Sequence, residues 1–274
     1  MKTLVYMLLI FLVSKVHSTV AQQDVVAKYL IVLPKGLKLK ELSPQKYTIT
    51  ADYFNGDIFG NFMTKTRVSG DYTRGFKDGT VKWNNVKIAN GNTREGLYEN
   101  AVSQNYMENF TYSPSDRMLE AASFSSFPPN SFHTKNLVWD MLAIETFAWV
   151  YFDSLGLNQT FRPGNLKEEI PLAGEGTFKN KDIQLKWTGI SQMNEEVCAL
   201  IEYRTFDNPL VVDTEQIKIK GRSHYWGTIW VSLIDKQIEH ATLFEDVVMD
   251  MKMQGQANGQ LINTTREISF EKLN

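Results

Sequence analysis

The sequence predicts a mainly β protein: a curved antiparallel meander sheet, half-barrel-like, packed around one buried α-helix. Three observations predict it. Period-two alternation recurs along the chain, as where Tyr47, Ile49 and Ala51 alternate with Thr48, Thr50 and Asp52. The alternating segments are separated by Asn, Gly and Asp turn signals, not by the helices of βαβ units, so the connectivity is antiparallel. A single stretch, KNLVWDMLAIETFAWVYFDSL at 135–155, has no Gly or Pro and is rich in good helix formers.

The chain opens with a signal peptide at 1–21. Lys2 gives the positive start, 4–13 is an apolar stretch too short to span a bilayer, and Thr19-Val20-Ala21 offers small residues for cleavage after Ala21. Cleavage after Ser18 is the rival. No Cys follows the apolar stretch, which excludes a bacterial lipoprotein anchor. The remainder, 22–274, shows no linker or low-complexity tract and reads as one β-rich domain. At about 250 residues it is long enough to be held by its core alone.

Residues 22–42 are mixed and read as a short helix or strand leading into the fold. Asn55-Gly56 is a strong two-residue hairpin signal after the first strand, with the partner strand starting at Ile58 and running through Phe62 towards Val68. GTVKWNNVKIA at 79–89 reads as a strand containing a turn-like Asn84-Asn85, closed by Asn90-Gly91-Asn92. The 107–127 stretch is less regular, with a strand at 109–112, and Phe127-Pro128-Pro129-Asn130 is a rigid extended break before the helix. FRPGN at 161–165 is a loop. The last hundred or so residues read as a meander: strands at 177–187, 197–204 and 216–233, a turn at Asp235-Lys236, a strand at 237–253, a turn at Asn258-Gly259, and a final strand at 260–270. GTVKWN at 79–84 and GTFKNK at 176–181 form a faint internal echo, each opening a strand.

The 135–155 helix reads poorly as a membrane span. It is short, and Asp140 and Glu145 would each cost about 2.5–3.5 kcal/mol near a bilayer centre. Thr134 or Asn136 can cap its start and Gly156 its end. It is apolar most of the way round, so it is expected to be buried on several sides by a sheet wrapped about it. Asp140 and Glu145 lie about 140° apart around the axis, so they do not face one another as an acid/base pair. Both read as rim residues making hydrogen bonds or ion pairs.

The remaining chemistry is sparse. With 29 Lys plus Arg against 31 Asp plus Glu, the net charge is −2, and losing Lys2 and Lys15 with the signal makes it −4. No basic block invites nucleic acid or an anionic membrane surface. Cys198 is the single cysteine, so no internal disulfide forms, and its apolar surroundings make it a buried, inert thiol. His133, His224 and His240 stand in no metal-ligand spacing; a site assembled from His224, His240 and Glu245 is the one metal alternative. No nucleophile elbow, phosphate-binding loop or dinucleotide fingerprint occurs, so no catalytic residue, metal or cofactor is assigned. Asn109, Asn158 and Asn263 each open an N-x-Thr glycosylation pattern.

The aromatic run Tyr225-Trp226-Gly227-Thr228-Ile229-Trp230 puts Tyr225, Gly227 and Ile229 on one strand face and Trp226, Thr228 and Trp230 on the other. Core packing explains it simply. An apolar pocket beside Gly227, where the missing side chain leaves room, is the functional alternative. Tyr225, Trp226, Gly227, Trp230, Trp139 and Phe147 are the ligand-binding candidates.

A signal peptide, a meander over 176–270 and a buried central helix resemble the LolA/LolB-type half-barrel, which includes bacterial lipoprotein carriers and many uncharacterised exported proteins. The resemblance is topological. It implies a concave apolar surface suited to lipid or another hydrophobic ligand and transfers no site residue. The sequence therefore points to an exported, periplasmic or extracellular, non-enzymatic protein that binds an apolar ligand or a protein partner. The alternative is a hydrolase-like enzyme using the scattered carboxylates Asp140, Glu239 and Glu245.

Overall fold

The computed structural model describes residues 27, 29, 32–40, 44–77, 79–164, 166 and 169–273. The expected signal peptide at 1–21 and part of the 22–42 segment lie outside the described residues. The strands are β1 (Gln45–Asp57), β2 (Phe62–Arg74), β3 (Val81–Gly91), β4 (Glu99–Ser103) and β5 (Phe110–Tyr112) before the helix. Helix α1 (Phe132–Glu145) continues as a π turn (Thr146–Val150). After it come β6 (Thr160–Phe161), β7 (Glu169–Pro171), β8 (Gly176–Lys179), β9 (Gln184–Met193), β10 (Glu196–Arg204), β11 (Asn208–Asp213), β12 (Ile217–Ser232), β13 (Ile238–Met253) and β14 (Gln260–Lys272).

All of these strands join one curved antiparallel sheet that does not close into a barrel. Its main path runs β4-β3-β2-β1-β14-β13-β12-β10-β9-β6, so the two wings meet where β1 pairs with β14. The long β12 serves two neighbours. Its second half pairs with β10, while its first half pairs with β11, which leads on to β8 and β7. The concave face follows from strand parity: Tyr47, Ile49, Ala51 and Tyr53 of β1 are buried together with Ile262, Ile268 and Phe270 of β14. Tyr47 stacks on Phe270 at a ring separation of 4.2 Å.

Several turn signals act differently from their sequence reading. Asn55 and Gly56 do not form the first hairpin turn. They sit in β1 at a register shift, with Asn55 bonded across the sheet to Thr64 and Thr264. The turn falls at 58–61, because the Asp57 carboxylate accepts from the backbone N–H groups of Phe59 and Asn61 and Gly60 takes a left-handed conformation at φ 85°. Asn84-Asn85 is likewise a bulge within β3, not a turn. Asn85 has φ 54°, and Gly70 lies opposite because a side chain there would press on Val86. The single strand read at 177–187 is two, β8 and β9, in different parts of the sheet. β11 is a strand with no counterpart in the sequence reading.

The helix is 19 residues long counting its π turn and begins at Phe132, three residues before the expected start. Thr134 is not its cap; its hydroxyl donates back to Ser131 O at 2.9 Å. Thr146 Oγ1 donates to Leu142 O at 2.7 Å, a back-bond that bends helices, and the ladder widens to π geometry there. Leu137, Val138, Met141, Ile144 and Ala148 form the buried face. Trp139, Leu142, Ala143 and Trp149 are only partly buried. The all-round apolarity thus has two causes: one face is core, and the other borders the cleft described below. Among the described residues no helix is long and apolar enough to cross a membrane.

Three side chains fasten the helix to separate walls. Trp139 Nε1 donates to Met118 O at 2.9 Å, Trp149 Nε1 donates to Lys236 O at 2.8 Å, and Phe147 packs 5.1 Å from the Tyr203 ring. Glu145 is buried, accepting from Tyr72 Oη at 2.6 Å and pairing with Arg74 at 2.7 Å.

Candidate functional site

Between α1 and the concave sheet lies a cleft of about 800 Å³, within the usual range for small-molecule sites. Its apolar wall comes from two sources. Leu142, Ala143 and Phe147 project from the helix, and Val247, Met249 and Met251 line one face of β13 by period-two alternation. Ile217 and Ile219 of β12 and Leu210 and Val212 of β11 extend that wall.

A polar row crosses the apolar wall. Strand register sets Tyr53 opposite Arg266, Arg266 opposite Glu245, and Glu245 opposite Tyr225, spanning β1, β14, β13 and β12. All four point to the concave side. Arg266 is the centre: one terminal nitrogen bonds Glu245 Oε2, the other bonds Asp140 Oδ2 from the helix, and its guanidinium lies 4.9 Å from the Tyr53 ring centroid. Glu245 Oε1 accepts from Ser223 at 2.5 Å. His133 abuts Tyr53 edge-on at 4.6 Å, and Tyr225 donates to Asn180 Oδ1 at 2.9 Å.

Burial governs the titration of this row. It raises the Asp140 carboxyl to about 6, with Glu245 adding to the effect and Arg266 opposing it. Burial, joined by the nearby positive Arg266, lowers His133 to about 4, so the imidazole is neutral at pH 7.

The six sequence candidates divide. Tyr225, Trp139 and Phe147 line the cleft. Trp226 and Trp230 do not: they are on the convex face, Trp226 at 40% exposure against Phe244 and Trp230 against His240. Strand alternation forbids Tyr225 and Trp226 from entering one pocket. Gly227 leaves no room for a ligand, because the Tyr203 ring of β10 crosses it and Tyr203 Oη donates to Thr242 O at 2.8 Å.

The carboxylates divide too. Asp140 and Glu245 meet at Arg266, whereas Glu239 is held elsewhere by Lys272 and Asn194. His224 and His240 are on the convex face, His224 against Trp226 and Asp246, with Glu245 on the opposite face, so those three do not assemble. Among the described residues no cluster of three or more His, Cys, Asp or Glu is placed to hold a metal.

Sequence reasoning passed over Arg266, Tyr53 and the β13 methionines as site residues. A signal existed. Ile262, Thr264, Arg266, Ile268 and Phe270 share one parity, so a charged residue stands in phase with the core face.

No family model and no curated protein matches the chain. Among solved structures, it is similar to a DUF1329 family protein from Desulfovibrio piger, at 10% identity and a TM-score of 0.15, over 84% of this chain and 86% of that one.

Proposed function

We propose that the protein is an exported, non-enzymatic carrier or receptor that holds an apolar ligand, of lipid type, in the cleft between α1 and the concave sheet, in the manner of a LolA/LolB-type half-barrel. One observation carries this reading: an apolar-walled cleft of about 800 Å³ bordered by a helix face of half-buried Trp139, Leu142 and Ala143. Exposed apolar surface of this extent marks a binding site more often than an accident. The signal-like start at 1–21 supports export to the periplasm or the extracellular space.

Titration of the purified protein with the neutral apolar fluorophore N-phenyl-1-naphthylamine tests the reading. Saturable binding is expected. Ala143→Trp places an indole in the cleft and should weaken binding about tenfold, or ~1.4 kcal/mol, with little change in melting temperature. Absence of saturable binding, or a variant that binds like the parent, contradicts the proposal.

A hydrolase is the second reading. The meeting of Asp140 and Glu245, with Asp140 raised to about 6, favours it. Against it, Arg266 engages both carboxylates, and Glu239 does not join them. Turnover of a chromogenic ester or glycoside panel that is lost in Asp140→Asn would establish it.

A further inference from the structure

Resting on the apolar-ligand reading, we infer that the ligand ends in an uncharged or cationic head that donates hydrogen bonds, and that carboxylate and phosphate heads are selected against. Among the described residues, the charged side chains on the cleft wall are Arg74, Asp116, Asp140, Glu145, Glu245 and Arg266: four carboxylates and two guanidinium groups. Arg74 is paired with Glu145. Arg266 spends both terminal nitrogens on Asp140 and Glu245. Two carboxylates around one guanidinium leave an excess negative charge at the polar row, and among the described residues no lysine lines the cleft to offset it.

The hydrogen-bonding inventory points the same way. Asp140 uses Oδ2 for Arg266, and its Oδ1 has no partner among the described residues, which leaves an acceptor at the cleft wall. The neutral His133 supplies no compensating positive charge. A hydroxyl, amide N–H or ammonium satisfies the open acceptor. A carboxylate or phosphate has no donor to offer it and meets like charge in a site where water screens weakly. An arginine in a lipid-sized cleft ordinarily suggests capture of an anionic head; here the two flanking carboxylates take both terminal nitrogens, and the unpartnered Nε is buried away from the cleft surface.

A head-group series of constant chain length reads this out on the unaltered protein. Hexadecylamine, hexadecan-1-ol and hexadecanoate are each titrated, at pH 7.5, against bound N-phenyl-1-naphthylamine. The amine and the alcohol should displace the probe at concentrations at least about tenfold lower than the acid, the difference expected when one buried like-charge contact is avoided. Asp140→Asn and Glu245→Gln each remove one negative charge with little change of shape, and each should raise the affinity for hexadecanoate and narrow the gap. Hexadecanoate binding as tightly as the other two, or more tightly, overturns the inference while leaving the apolar-ligand reading intact. Failure of the probe and of all three amphiphiles overturns that reading, and the inference with it.

Discussion

Asp140 and Arg266 join the helix to the middle of the sheet: the carboxylate comes from α1, the guanidinium from β14, and Glu245 of β13 holds the guanidinium from its other side. All three side chains are largely withdrawn from water, so the cluster differs from a surface ion pair. Removing the cation is far worse than removing one anion. Arg266→Met leaves two buried carboxylates facing each other and should cost about 3–5 kcal/mol. Asp140→Asn keeps shape and a hydrogen bond and should cost about 1 kcal/mol. Denaturant titration of both variants measures the order; equal costs would refute this account of the cluster.

The Tyr203–Gly227 pair sets a second expectation. A Cβ at position 227 would run into Thr242 O and the Tyr203 ring. Gly227→Ala should therefore destabilise by about 1–3 kcal/mol through overpacking, although alanine is no worse than glycine in a strand. Tyr203→Phe loses only the bond to Thr242 O and should cost about 0.5–1.5 kcal/mol. The double variant Gly227→Ala, Tyr203→Ala should recover part of the overpacking cost if the ring is what fills the space.

The polar row makes stability depend on pH in two opposing ways. His133 falls from its ordinary 6.5 to about 4 on folding, so the unfolded chain holds more protons between those values, and stability is lost as pH drops through that window. Asp140 rises from 3.8 to about 6, so the folded protein holds the extra proton, and stability is gained as pH drops from 6 to 4. His133→Asn should flatten or invert the loss on acidification, whereas Asp140→Asn should steepen it. Melting curves at pH 4.5, 5.5 and 6.5 suffice; shifts of the reverse sign would contradict the assignment.

Cys198 is fully buried, and burial raises its thiol to about 12, with Glu239 and Glu196 contributing. A thiol reagent at pH 8 should label the native protein at least a hundredfold more slowly than the denatured chain, since the thiolate is the reactive form. Rapid native labelling would show an exposed sulfur.

The architecture was legible because alternation, turn residues and one Gly- and Pro-free stretch agree across 135–155 and the last hundred residues. Local signals failed where a long-range partner overrode them. Asn55-Gly56 reads as a turn, yet Thr64 and Thr264 hold Asn55 in the sheet and Asp57 moves the turn onward. The site was half legible. Parity alone separates Tyr225 from Trp226. Nothing local reveals that Tyr203 fills the gap at Gly227, or that Tyr53, Arg266 and Glu245 align, because each depends on the register of strands distant in sequence.

Occupancy of the cleft by an apolar amphiphile is read out by native mass spectrometry of the protein purified from its native cells. A population heavier than the bare chain by one small molecule is expected, which organic extraction removes and identifies as an uncharged or cationic amphiphile, and which Ala143→Trp reduces. Protein of bare-chain mass that also fails to take up any added apolar ligand would contradict it.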